Sequence, residues 1–414
     1  MIRRPPRSTQ SRSSAASDVY KRQKLNQGVK MISFELNETQ LAIQDTAKKF
    51  AQEEILPSVI ERDKKAEFPT DIIAKLGELG FMGFMVPEQY GGSNLDTISY
   101  VLAIEEIAKI DASIAIVLSV QNSLVNWILE HYGTEEQKQH YLRQLASGKI
   151  GAFCLSEPEA GSDASQQHTT AELKDGYWIL NGMKNWISTA QHADYYIVFA
   201  QTNPELKHKG IACFIVEKGT QGFLPQEKED KMGMRSSDTC SIAIENCKIP
   251  EKNIIGKVGE GFNIAMNSLN GGRVGIAAQA IGIAQGAFEL SAKYATERIA
   301  FGKPIIKHQM IQAKLAEMSA KIDAAHLLVL KAAWLKDKHL PYIKESAQAK
   351  YFAATVANEV TREAVQIHGG YGYVREYHVE RMMRDAKVIE IYEGTSEIQK
   401  IVIAREIEKQ FTNS

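Results

Sequence analysis

Cysteine is scarce in this 414-residue chain, with only Cys154, Cys213, Cys240 and Cys247, and no two of them stand in a C-x-x-C spacing. Neither a zinc site nor a disulfide framework is indicated, and no metal is expected. The four read as reduced, mostly buried thiols of a cytoplasmic or mitochondrial-matrix protein. An excess of one charge is also lacking: 49 Lys and Arg stand against 50 Asp and Glu, and three basic residues never occur in a row. Nucleic acid and anionic membrane surfaces are therefore not the expected partners. Uninterrupted apolar runs fall short of the roughly 18 residues that span a bilayer. The nearest, Val274 to Phe288, contains Gln279 and Gln285. Its Gly282-x-x-x-Gly286 spacing reads as close packing between helices of a globular protein.

What is present is ample apolar material, 44% of residues, in a chain long enough for two or three domains. Residues 1–30 stand apart, with eight Lys and Arg against one acid, Asp18. This leader is expected to be non-native or disordered, with Met31 as a natural start. From Asn37 the pattern is helical. Asn37 and Gln40 suit a capping box, Ile43, Ala47, Phe50 and Ala51 share a face, and Pro57 should stop the helix. Further helices are expected at about Pro69 to Leu79, Leu95 to Lys109, Ala112 to His131 and Thr134 to Ala146.

The texture then changes to period two. Ile150 to Ser156, Thr169 to Leu173, Tyr177 to Leu180, Trp186 to Thr189, Tyr195 to Thr202, Gly210 to Glu217 and Cys240 to Ile244 read as strands. Asp175-Gly176 and Asn181-Gly182 read as hairpin turns. Helical periodicity returns in Gly261 to Ala300, His308 to Asp337, Pro341 to Ile367, His378 to Asp385 and Ser396 to Lys409. The fold class is α+β: an all-α domain over 34–149, an antiparallel β-barrel or sandwich over 150–256, and a helical bundle over 257–414. The loose Gly256-x-x-Gly259-x-Gly261 is no dinucleotide fingerprint, because no strand-helix-strand unit surrounds it. Met232, Met234 and Met266 read as core fillers.

One stretch invites chemistry. In Ile391-Tyr392-Glu393-Gly394-Thr395-Ser396-Glu397-Ile398-Gln399 a lone carboxylate stands between an aromatic ring and a glycine, and the Gly-Thr-Ser that follows suits a loop ending in a helix N-cap. Desolvation beside Tyr392 would raise the proton affinity of Glu393 towards the working pH of a base. The ordinary alternative is a solvated or capping glutamate. Phe153-Cys154-Leu155-Ser156-Glu157-Pro158-Glu159-Ala160-Gly161-Ser162-Asp163 is a strand entering a Gly-Ser turn, either a surface turn or a holder of a flavin edge or phosphate.

Together with Lys184-Asn185-Trp186-Ile187-Ser188, Met232 to Thr239, Arg298-Ile299-Ala300-Phe301-Gly302-Lys303 and Gln366-Ile367-His368-Gly369-Gly370-Tyr371-Gly372, these segments resemble the successive signatures of the acyl-CoA dehydrogenases. The resemblance runs from about Phe34 to Ile407, in the family's order and spacing. It implies an FAD-dependent α,β-dehydrogenation of an acyl-CoA thioester to the trans-2-enoyl-CoA, with Glu393 as the catalytic base. It implies that Phe153, Leu155, Ser156, Gly161, Ser162, Trp186, Ser188, Thr395 and Glu397 contact FAD, Trp186 shielding the flavin. By the same resemblance Arg298, Phe301, Gln309, Gln366, Gly369 and Gly370 reach the FAD of a neighbouring subunit, Arg298 as a fork on the pyrophosphate. Ser162, Asn270, Arg273 and Gly394 are implied in binding substrate and coenzyme A.

A cofactor shared between subunits implies an oligomer, a homotetramer in the family, whose core the small-residue stretch Val274 to Gly286 could pack. The implied electron acceptor is an electron-transferring flavoprotein. Leu269 to Arg273 and His368 to Tyr373 resemble isobutyryl-type branched-chain enzymes, while Glu390 to Gln399 and Pro341 to Ala347 resemble butyryl-type ones. A short acyl chain is expected, straight or branched. A flavin oxidase of the same superfamily is the more distant alternative.

Overall fold

The computed structural model describes residues 35–412, so the expectation for the leader lies outside the described residues. Helices occupy the chain up to Ala146, strands dominate from Gly151 to Ile255, and helices return from Gly261 to Thr412. Short polar caps set several helix starts. Asp96 accepts from the Ser99 amide at 2.7 Å, Asp111 from Ser113 at 2.8 Å, and Thr134 with Gln137 forms a reciprocal capping box. The stop expected at Pro57 does not occur. Helix Glu38–Phe50 passes through a π turn, Ala51–Ile55, and a 3-10 turn, Leu56–Ser58, into Val59–Lys65. Pro57 sits in the first positions of the 3-10 turn, where its missing N–H is not needed.

The sheet has eight strands: β1 (Gly151–Cys154), β2 (Thr170–Lys174), β3 (Tyr177–Ser188), β4 (Tyr195–Gln201), β5 (Ile211–Glu217), β6 (Phe223–Lys228), β7 (Thr239–Pro250) and β8 (Ile254–Ile255). Its order is β6-β7-β3-β2-β4-β5-β8, with β1 beside β4. Pairing is antiparallel except where β1 and β2 run parallel to β4, so the sheet is mixed. Asp175 and Gly176 make the expected β2–β3 hairpin, both at positive φ. Asn181-Gly182 does not turn the chain. It lies within β3, where the register against β7 shifts between Leu180 and Gly182, so two expected strands are one strand with an irregularity.

Helix Gly261–Glu297 is the axis of the helical regions. A Cβ on Gly282 would stand 2.4 Å from the Glu105 carbonyl oxygen, and one on Gly286 would stand 2.5 Å from that of Lys109. The small residues thus seat this helix on Thr97–Ala108 of the same chain. Buried there, Val274 to Gly286 cannot form the core of an oligomer, which corrects the expectation above. One further helical stretch, Ala112–Tyr132, is long and apolar enough to cross a membrane, with mean hydropathy 1.5, although 94% of that window is buried inside the protein. Counting uninterrupted apolar runs missed it, because Ser119, Gln121, Asn122, Ser123 and Asn126 interrupt the run.

Three parts of the chain meet at one polar junction. Arg384 grips Asp63 at 2.7 Å, Arg235 donates to the Asp63 carbonyl at 3.1 Å, Asp385 accepts from the Met234 amide, and Arg381 donates to the Ile110 carbonyl at 2.7 Å. Of the three methionines expected as core fillers, Met234 is buried at this junction, Met266 is half-buried and Met232 is 60% exposed.

Candidate active site

The 391–399 stretch is a strained turn feeding a helix. Glu393 has φ +53° and Gly394 has φ +84°, two left-handed residues in succession, the first of which has a Cβ to accommodate. Thr395 caps helix Ser396–Thr412 by accepting from the Ile398 amide at 3.3 Å. The turn is held from outside: Gln399 donates to the carbonyls of Glu393 at 3.1 Å and Gly394 at 2.8 Å, and Lys350 donates to that of Gly394 at 2.7 Å. So constrained, the turn aims Glu393 at the bare backbone of Gly272, where a Cβ would stand 2.9 Å from both carboxylate oxygens and 3.0 Å from Leu124.

Oε2 of Glu393 is out of solvent and has no hydrogen-bond partner. Burial pushes this carboxyl up to about 7, and the positive charges of Arg273 and Lys350 hold it from rising further. Arg273 is 6% exposed, donates to the Asn270 side chain at 2.8 Å, and has a buried, unpartnered Nε. Tyr392 Oη is fixed on Gln279 at 2.6 Å.

A cavity of about 400 Å³ opens over this carboxylate. Among the expected residues it brings together Phe153, Leu155, Ser156, Gly161, Ser162, Trp186, Ser188, Arg273, Glu393, Gly394 and Thr395. Asn270 reaches it through Arg273, while Glu397 points outward on the first turn of its helix. The remaining set lies elsewhere. Arg298, Gly369 and Gly370 line a second concavity of about 530 Å³ with Tyr294, His368 and Tyr371, the Arg298 guanidinium lying 5.6 Å from the Tyr371 ring. Phe301, Gln309 and Gln366 are exposed and line neither cavity.

Sequence reasoning missed the apolar wall of the first cavity, Ile116, Val120 and Leu124, spaced along one helical stretch and joined by Leu269 and Ile398. Their four-residue spacing was visible but reads equally as ordinary core. Also missed was the clamp behind the Gly-Ser turn. Lys184, fully buried, donates to Glu157 and Gln167 at 2.6 Å each and to the Leu155 carbonyl at 3.3 Å, while Glu157 accepts from the His168 and Thr169 amides. Burial works against the Glu157 carboxylate, yet Lys184 and these donors keep its proton affinity below the ordinary range.

The residues present fit a flavin. Trp186 is held 62% exposed at φ +60° on the rim, a Cβ at Gly161 would meet nothing within 4 Å, and two serines of the turn line the same wall. A half-buried carboxylate with one unpartnered oxygen beside such a slot belongs to the class of flavin-dependent dehydrogenases that take a proton from a carbon acid.

Comparison with known proteins gives the family. The chain matches the N-terminal, middle and C-terminal domains of acyl-CoA dehydrogenase at residues 37–149, 152–247 and 259–408. It is 46% identical over 373 residues to the human mitochondrial short-chain specific acyl-CoA dehydrogenase, covering 90% of each chain. Among solved structures it resembles butyryl-CoA dehydrogenase from Megasphaera elsdenii, with TM-score 0.90, 45% identity, and coverage of 91% of this chain and 100% of that one. A chain from work on the electron transferring flavoprotein of Acidaminococcus fermentans gives TM-score 0.90 and 49% identity, with coverage of 91% and 99%. The chain belongs to the acyl-CoA dehydrogenase family and is an FAD-dependent oxidoreductase of acyl-CoA thioesters.

Proposed function

We propose that the chain dehydrogenates short-chain acyl-CoA thioesters, of which butyryl-CoA is the straight-chain representative, with Glu393 as the sole base. The observation that carries this reading is the Glu393 carboxylate, which lines the cavity with one unpartnered oxygen out of solvent and is pushed up to about 7. A thioester α-proton is weakly acidic, so a base with proton affinity near the working pH is what the step requires. Glu393 takes the α-proton from the substrate, and the Cα electron pair becomes the new double bond as the β-hydrogen departs with its own pair. FAD supplies the acceptor for that hydride. The Glu393 backbone N–H serves the thioester oxygen as enolate charge develops, Ser162, Asn270, Arg273 and Gly394 serve substrate and coenzyme A, and Ile116, Val120 and Leu124 exclude water from the acyl end. Phe153, Leu155, Ser156, Gly161, Trp186, Ser188 and Thr395 hold the flavin.

A homotetramer, in which Arg298, Phe301, Gln309, Gln366, Gly369 and Gly370 serve a neighbour's FAD, is part of the same proposal, as is an electron-transferring flavoprotein as acceptor. The location follows the source, cytoplasmic in a bacterium and mitochondrial matrix in a eukaryote. Glu393→Gln preserves shape and removes the proton acceptor. The variant should hold FAD and bind butyryl-CoA, while anaerobic stopped-flow reduction slows by about 10²–10⁴-fold or more. Bleaching at near the wild-type rate would remove Glu393 from the mechanism. An acyl-CoA panel on the wild type, scored by the same bleaching, separates straight from branched and short from long substrates.

A further inference from the structure

We infer that Lys350, which touches neither cavity, is a positioning residue that fixes the base turn in its left-handed form and supplies the positive charge that keeps Glu393 able to ionise. Lys350 lies in the middle of helix Ile343–His368, on the face that carries Ala347, Ala354 and Ala357, all of them buried. A fully buried ammonium among alanines is costly to desolvate and persists only where it has a partner that repays it. Its hydrogen-bond partner is not a carboxylate but the Gly394 carbonyl, at 2.7 Å. That carbonyl also accepts from Gln399 at 2.8 Å, so the peptide after Gly394 is gripped by two donors from two helices. Without the grip, Glu393 at φ +53° would relax towards the ordinary regions, and its carboxylate would leave the space over Gly272.

The charge matters separately from the grip. Three elements bring ionisable groups to Glu393: Arg273 from helix Gly261–Glu297, Lys350 from Ile343–His368 and Tyr100 from Thr97–Ala108, with Tyr392 adjacent in the chain. Of these only Arg273 and Lys350 are positive, and Lys350 itself faces Glu390 and Glu397 as well as Glu393. Burial pushes the Lys350 ammonium down to about 8, so it remains charged where the carboxylate titrates. Loss of this charge raises the proton affinity of Glu393, and less of the base is ready at neutral pH.

The inference rests on Glu393 being the base, and the test separates the two. In flavin-loaded Lys350→Met, the pH midpoint of butyryl-CoA-driven flavin reduction should rise by roughly 1 unit, from the loss of one nearby opposite charge. The Glu393 carboxyl, followed by infrared difference spectroscopy against Glu393→Gln as blank, should titrate at the same raised pH. KM should change less than kcat. Lys350→Gln, which keeps a donor without the charge, should show the same upward midpoint. Lys350→Arg, which keeps the charge with altered geometry, should retain the native midpoint at a reduced rate. An unmoved midpoint in Met and Gln, or a raised one in Arg, overturns the inference even while Glu393→Gln remains inactive. Should the two uncharged variants fail to fold, the Arg variant decides alone by its midpoint. An active Glu393→Gln would sink the parent reading instead.

Discussion

Glu393 is kept in an unfavourable ionic state, and that has consequences in both rate and stability. As a base it must be ionised, so kcat/KM for butyryl-CoA should climb with pH through a midpoint near 7, the value to which burial pushes the free enzyme's carboxyl. In stability the sign is the opposite. The unfolded carboxyl loses its proton near 4.5 and the folded one near 7, so between those values the folded state holds the extra proton and stability falls as pH rises. Above pH 7 the full penalty applies, on the order of 3 kcal/mol. Glu393→Gln should therefore melt higher than the wild type at pH 8 and lose that advantage at pH 4, as calorimetry can measure. No gain at pH 8 would mean that the carboxylate is better solvated than its unpartnered Oε2 indicates. Gly272 is the reciprocal half of the site. Since a Cβ there meets both oxygens of Glu393, Gly272→Ala should displace the base and slow reduction while leaving flavin bound. A carboxylate supplied by Gly272→Glu needs position 393 reduced to Ala rather than Gln, because Gln occupies the same space. In the sequence Tyr392 and Gly394 drew attention to Glu393, but that pattern alone favoured a solvated or capping glutamate, and the reading of it as the base came from the family resemblance. Lys350 was not legible, because a lysine between alanines in a helix gives no sign of which way it faces.

Elements were legible where period and punctuation agreed. The Asp175-Gly176 hairpin and the five C-terminal helices follow from them, since a positive-φ pair or a long 3.6-residue pattern has few alternatives. Asn181-Gly182 carries the same local signal and stays inside β3, because pairing with β7 on one side and β2 on the other outweighs the preference of the dipeptide. Strand β6 was invisible, since Phe223–Lys228 is mostly exposed and polar and contains Pro225. The π segment Val120–Asn126 could not be foreseen either. It arises where Asn122 and Asn126 bond the backbone of Phe81 and Met82, and Gln121 that of Gly151, Leu145 and Lys149. At this scale the clamp behind the flavin wall makes the clearest prediction. Lys184→Met leaves Glu157 charged and buried, with two backbone amides still to serve. Loss of one partner of such a pair costs about 3–5 kcal/mol. The variant should show a lowered melting temperature and weakened flavin retention, read by thermal shift and by the ratio of flavin to protein. The paired change Lys184→Met with Glu157→Gln should recover part of the stability. A single variant as stable and as yellow as the wild type would show that the turn needs no clamp.

On the scale of the whole molecule, the helical, sheet and helical order was legible because it depends only on which periodicity prevails over a hundred residues at a time. Contacts between distant segments were not, as with Asp63, Arg235 and Arg384, which stand far apart in sequence and meet at one junction. The same blindness applied to the small-residue helix, whose glycines suit a partner helix without saying whether it belongs to the same chain. With Val274 to Gly286 committed internally, another surface must carry any assembly. The segment after Glu297 offers one: Arg298 is exposed, Ile299 is 63% exposed, Phe301 95% and Met310 75%. Exposed apolar groups gathered in one segment are what the proposed assembly would cover. Phe301 in addition takes φ +53°, an unfavourable conformation for an aromatic residue, with its ring edge-on to that of His308. If the concavity beside Arg298 completes a neighbour's flavin site, assembly and flavin content are coupled, and each should fall when the other is weakened. Arg298→Ala should purify depleted in FAD and with a reduced mass in sedimentation, and added FAD should restore both together, because the cofactor that binds only the assembled state stabilises that state. Full flavin occupancy at wild-type mass would separate the second concavity from the cofactor.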